Sequence, residues 1–160
     1  MVEVARDSGA GVILMHMRGT PRTMQQDPVY ADVVAEVAAY LDERVAALTA
    51  VGLRRSCLAV DPGIGFGKTL DHNLDLLAGL LAFRRAGLPV VVGLSRKSFL
   101  GKITGRDVEA RLPASLAGLV FCLLNGADVA RVHDVRESAE AAKTAMAIEQ
   151  HRKETTRHVE

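Results

Sequence analysis

At 160 residues and a formal net charge of +1, the chain has the size of one domain and enough length to bury a single core. A hydrophobic content of 49% argues against disorder, and the near-neutral balance gives no reason to expect nucleic acid or an anionic membrane as a partner. Aromatic residues amount to 4%, with no tryptophan, so the core has to come from Val, Leu, Ala and Ile, and any anionic ligand has to be held by a local cluster of cations.

In chain order, residues 1–8 read as a helix-like opening. Four short β-like runs follow, at residues 11–15, 57–60, 89–93 and 128–132, each succeeded by a helical pattern. Their apolar residues are continuous rather than alternating, as in parallel strands covered on both faces. After the first run, Asp27-Pro28 reads as a helix N-cap and first helical residue, with Val29, Val33, Val37, Leu41 and Val45 on one face and Gly52 as the stop. Asp71 is the expected cap of the next helix, with Leu74, Leu77 and Leu81 as its apolar stripe and Gly87 at its end. A third helix is expected from about Val108 to Gly126, and a last one from near Arg136 into a polar tail that contains His151 and His158. Cys57 and Cys122 lie within apolar runs and read as small core residues in a reducing compartment. No apolar stretch approaches the roughly 18–20 residues of a membrane span, and the opening residues lack the pattern of a signal peptide, so a soluble cytoplasmic protein is expected.

Alternating strands and helices require a parallel sheet with right-handed crossovers. The polar and glycine-rich segments follow every strand, whereas the opposite strand ends are plain. Chemistry gathered at all the carboxyl ends marks a TIM-type barrel, whereas a doubly wound sheet concentrates it at one crevice. The expected fold is therefore α/β: a partial TIM-type (β/α)8 barrel of four parallel βα units.

The second run opens into Asp61-Pro62-Gly63-Ile64-Gly65-Phe66-Gly67-Lys68-Thr69. This segment fails as a Walker A loop at Pro62 and as a dinucleotide fingerprint at Lys68. What remains is a carboxylate at a strand end, with glycines that let the backbone pass close to a ligand; a loop whose Asp caps backbone amides is the plain alternative. A carboxylate accepts two parallel hydrogen bonds from a guanidine-like edge, such as that of a pterin or guanine. Phe66 and Met15 are suited to the faces of such a ring. The third run ends in Gly93-Leu94-Ser95-Arg96-Lys97-Ser98-Phe99, which reads either as an anion site at a helix start or as a solvated basic turn. The fourth ends in Arg131-Val132-His133-Asp134, where residues two apart project to one side, pairing Arg131 with His133. His16 alternates away from Met15 and reads as support for its loop. A set of Asp61, Lys97, Arg131 and His133 suits a planar heterocycle and an anionic leaving group, and the spacings match neither a serine triad nor a structural zinc site.

Four segments together resemble the dihydropteroate synthase family. Leu14-Met15-His16-Met17-Arg18-Gly19-Thr20-Pro21 is similar to the family's fifth strand and loop, residues 61–68 to its sixth, 93–99 to its seventh, and 131–134 to its eighth. The resemblance implies condensation of 6-hydroxymethyl-7,8-dihydropterin diphosphate with 4-aminobenzoate, giving 7,8-dihydropteroate and diphosphate. It implies that Asp61, Met15, Phe66, Gly93 and Lys97 bind the pterin, that Phe66, Lys97 and Ser98 meet the aminobenzoate, and that Arg131 and His133 grip the diphosphate. Lys97, Arg131 and His133 would be the catalytic groups. It also implies Mg2+ bound with the diphosphate, whose Asn ligand belongs to a first half that this chain does not contain. Residues 1–160 are accordingly expected to be a C-terminal half, with Met1 an internal methionine, inactive alone and prone to form a homodimer or self-associate through open strand edges. Two alternatives are a non-catalytic pterin- or diphosphate-binding remnant and the pterin domain of a corrinoid-dependent methyltransferase.

Overall fold

The computed structural model describes residues 1–157, apart from the side chains of Arg85 and Arg157. His158, assigned above to the polar tail, lies outside the described residues. The order of elements is α1 (Val2–Ser8), β1 (Val12–Met15), α2 (Val33–Ala50), β2 (Leu58–Asp61), α3 (Leu70–Ala78), β3 (Val91–Val92), α4 (Ser98–Thr104), α5 (Leu112–Leu124), β4 (Val129–Ala130) and α6 (Val135–Arg157). The α/β alternation is the expected one. The strands form two parallel pairs, β1 with β2 and β3 with β4, and the pairs meet at the parallel bridge of Val60 with Val90. Across that junction the Val60 N–H donates to the Pro89 carbonyl at 2.9 Å, while Val90 faces β4, its N–H donating to the Asp128 carboxylate at 2.9 Å and its carbonyl accepting from the Val129 N–H at 3.1 Å.

The helix starts differ from the expected ones, and local hydrogen bonds explain why. Asp32, not Asp27, caps α2: its carboxylate accepts from the Ala35 N–H at 2.9 Å, while Glu36 reaches back to the N–H groups of Ala31 and Asp32. Asp27 instead takes a left-handed φ of 46°, and Val29 is 63% exposed. At α3 the cap is Thr69, in a reciprocal box with His72, and Asp71 sits in the first turn. The chain then tightens into a 3-10 turn at Leu80–Ala86, which breaks the 3.6-residue period. Leu76, Leu77 and Leu80 are the buried positions, while Leu74 on α3 and Leu81 in the turn face out. Val108 belongs to a separate 3-10 turn, and α5 begins at Leu112 with Pro113 in its first turn.

The core forms where α2, α3 and α5 cover one side of the strands. Leu58, Val60, Val90 and Val92 are almost completely buried there, against Val37, Leu41, Leu76 and Cys122. Burial pushes the Cys122 thiol up to about 12, as expected of an inert core cysteine. On β1 the opposite side is bare, with Ile13 exposed. Met15 and Asp61 are register partners at the carboxyl ends of β1 and β2. The fold thus delivers the strand ends to one place and leaves part of the strand surface uncovered.

Candidate active site

The ends of β1 and β2 and the segments that follow β2, β3 and β4 contribute to one depression of about 150 Å³, lined by Met15, Asp61, Phe66, Gly93, Ser95, Lys97, Arg131, Val132 and His133. Cavities that enclose a small molecule usually measure about 300–1,000 Å³, so these residues make a partial pocket.

Asp61 ends β2, and the turn that follows folds back on it: the Gly63 N–H donates to its carboxylate at 2.7 Å. Only glycine fits at Gly63, where φ is 70° and an added Cβ would lie 1.9 Å from the His16 carbonyl oxygen. Burial raises the Asp61 carboxyl above its usual range, opposed by the Gly63 bond and by the charges of Lys97, Lys68 and Arg131. Lys97 crosses from the segment after β3 to donate to the Ile64 carbonyl, and its ammonium lies 4.4 Å from the centroid of the Phe66 ring. Burial lowers Lys97 to about 8, with Arg131 adding to the effect and Asp61 opposing it.

Arg131 and His133 do converge on the pocket, although β4 has already ended at Ala130. The Arg131 N–H still donates to the Val92 carbonyl at 2.8 Å, which prolongs the strand pairing by one residue. His133 is held by Ser95, whose hydroxyl accepts from the His133 N–H at 3.3 Å and lies 3.1 Å from its Nδ1. A second tie joins the same two segments. Arg96, at a left-handed φ of 57°, donates through Nε to the Asp134 carboxylate at 3.0 Å, donates its backbone N–H to the Ser115 hydroxyl (2.9 Å), and accepts at its carbonyl from the Arg111 guanidinium (3.0 Å). That pairing holds the Asp134 carboxyl below its usual range.

Of the residues singled out from sequence, Met15, Asp61, Phe66, Gly93, Lys97, Arg131 and His133 meet in the pocket. Ser98 does not line it; exposed, it begins α4, with Lys97 in the cap position. His16 supports its loop as expected, buried and edge-on to Tyr40 at 5.0 Å. Sequence reasoning missed two side chains. Ser95 lines the pocket and orients His133; its spacing of two residues from Lys97 was the available signal. Lys68, noted only for spoiling a glycine fingerprint, is buried against His16.

The chemistry of the donor set does not fit Mg2+ here. Among the described residues no cluster of three or more His, Cys, Asp or Glu side chains is suited to a metal. The pocket's one carboxylate, Asp61, is already engaged and faces cations that would repel a metal ion.

Comparison with known proteins gives the family. The model of pterin binding enzymes matches residues 1–133. Dihydropteroate synthase of Escherichia coli (strain K12) is 45% identical over 146 residues, covering 91% of this chain and 52% of that protein. The structure of Yersinia pestis dihydropteroate synthase with a sulfonamide drug complex superposes at a TM-score of 0.91 and 38% identity, over 93% of this chain and 54% of the other. Dihydropteroate synthase from Xanthomonas albilineans in complex with 7,8-dihydropteroate gives 0.86 and 38%, over 92% and 54%. The chain thus spans about half the length of the relatives it matches, and its α/β fold is similar to theirs. On these grounds the chain belongs to the pterin binding enzyme family, with dihydropteroate synthases as its relatives.

Proposed function

We propose that residues 1–160 are the C-terminal half of a pterin-binding TIM-type barrel and carry the pterin- and diphosphate-binding part of a dihydropteroate synthase. The observation that carries this reading is the convergence of one buried carboxylate, Asp61, with Lys97, Arg131 and His133 around a single partial pocket. The relatives' names and the 7,8-dihydropteroate bound by the Xanthomonas albilineans protein supply the substrate class.

Asp61 would accept the paired N–H groups of the pterin's pyrimidine edge, with Met15, Phe66 and Gly93 along the ring and Lys97 donating to it. Arg131 and His133 would take the diphosphate. In the reaction the bond between the pterin's methylene carbon and the diphosphate oxygen breaks, and its electron pair leaves with the diphosphate. The amine of 4-aminobenzoate then forms the new C–N bond and gives up a proton. Three groups able to carry positive charge suit stabilisation of the departing anion. Phe66 and Lys97 would flank the aminobenzoate, with Ser98 at the rim.

Because the cation-rich pocket does not suit Mg2+, any metal accompanying the diphosphate would need ligands from outside this chain. The partial cavity supports a chain that binds but does not turn over by itself. Open strand edges at β1 and β4, with exposed Phe121, Leu124 and Ile148, support self-association, a homodimer in the simplest case. No helix among the described residues is long and apolar enough to cross a membrane, and two free cysteines suit a reducing cytoplasm.

The test is an assay of dihydropteroate formation by the chain alone and with a supplied first half, beside a fluorescence titration with 6-hydroxymethylpterin. Binding alone and turnover only with the added half are expected. A chain that binds no pterin in either state would refute the reading.

A further inference from the structure

The glycine-rich turn after β2 ends on a charge for which the reaction above has no use. Lys68 is only 4% exposed and does not line the pocket. Its ammonium lies 3.0 Å from His16 Nδ1 and donates to the Phe66 carbonyl at 3.0 Å. His16 is equally sequestered, and its backbone N–H donates to the Asp61 carbonyl at 3.1 Å. One buried cation therefore connects the segment after β1 to the turn that carries Phe66, directly behind Asp61. A charge taken out of water persists only where such bonds compensate it, so a lysine that merely fills space would be replaced at lower cost by an apolar side chain.

We propose that Lys68 is a positioning residue of this pocket: by bonding His16 to the Phe66 carbonyl it fixes the turn on which the placement of Asp61 and Phe66 depends. The inference rests on the proposed function only where ligand affinity is the readout. The groups facing this pair are Asp61 from β2, Lys97 ahead of α4, Arg18 and Tyr30 from the segment after β1, and Glu36 and Tyr40 from α2. Burial, with Lys68 and then Arg18 adding to it, lowers His16 to about 4, and burial lowers Lys68 to about 8. At neutral pH the ammonium donates and Nδ1 accepts, which leaves the ring proton on Nε2.

Nitrogen NMR of the full chain tests this, on the wild type, Lys68→Met and Lys68→Arg, with melting curves to establish that each variant folds. In the wild type, His16 should carry its proton on Nε2 and titrate only near 4. Lys68→Met should raise that midpoint towards the ordinary 6.5 and speed amide exchange at Gly65 and Phe66. It should also weaken 6-hydroxymethylpterin binding by roughly ten- to a hundredfold, the usual effect of removing a group that holds a ligating side chain, with partial recovery in Lys68→Arg. A wild-type His16 protonated on Nδ1 would overturn the proposal without recourse to any variant. So would a folded Lys68→Met chain with unchanged exchange at Gly65 and Phe66. If the wild type binds no pterin, the proposed function fails, while the His16 tautomer and the amide exchange still decide the role of Lys68.

Discussion

The Lys97 ammonium lies 4.4 Å from the centre of the Phe66 ring while donating to the carbonyl of Ile64. A residue from the segment after β3 thus braces the turn after β2. Its charge sits within reach of the Asp61 carboxylate, and each shifts the other's proton affinity. Ligand binding and stability therefore pull in different directions at this site.

Asp61 illustrates the conflict. Asp61→Asn should weaken pterin binding by about ten- to a hundredfold, the loss expected when a charge-assisted pair becomes neutral. It should also raise the melting temperature, because burial already disfavours the charge. The sign follows from linkage: with the folded pKa above the ordinary 3.8, the folded state holds the proton more tightly. Wild-type stability should gain from this group as pH falls through the raised value, just as pterin affinity drops. Parallel melting and fluorescence titrations across acid pH check both halves.

Lys97 titrates in the opposite direction. With its pKa lowered to about 8 from 10.5, the ammonium is present below about 8 and lost above it. Affinity for inorganic diphosphate should fall as pH rises through about 8, and Lys97→Met should flatten that profile. The unfolded chain keeps its proton up to 10.5, so this lysine adds stability as pH rises between those values. Calorimetric titration with diphosphate on both proteins measures the effect.

Ser95 controls the leaving-group side. Ser95→Ala removes the hydroxyl 3.1 Å from His133 Nδ1 and should reduce diphosphate affinity by up to about tenfold, the worth of one neutral hydrogen bond, without a comparable change for pterin. Equal losses for both ligands would show that Ser95 supports the whole pocket instead.

Gly63 has no spare room. Gly63→Ala should destabilise the chain by about 1–3 kcal/mol or more, since the added methyl meets a backbone carbonyl that cannot rotate away. Urea denaturation measures it, and a change near zero would mean that the turn relaxes freely.

Much of the fold and site was legible because it is local. Continuous apolar runs identify buried strands, and residues at strand ends sit at the carboxyl edge by connectivity alone. Asp61, Lys97, Arg131 and His133 could accordingly be named before any coordinates. Helix starts were less legible: Asp27 and Asp71 looked like caps, but Asp32 with Glu36 and Thr69 with His72 satisfy the free amides reciprocally, and a single acidic residue does not compete with that.

By itself, the order of residues determined the alternation of strand and helix, the polar character of every carboxyl end and the chemical type of each pocket group. These depend on period, turn chemistry and neighbours a few positions away. Only the tertiary structure decided that Lys68 is buried against His16, 52 residues distant, and that Ser95 holds His133 across 38. It also decided that β1 pairs with β2 and β3 with β4, that the two pairs meet at Val60 and Val90, and that the Asp128 carboxylate, 38 residues away, receives the Val90 N–H. Contacts of that range are set by how helices and strands pack against each other, and no local pattern encodes which distant partner a lysine or serine will meet.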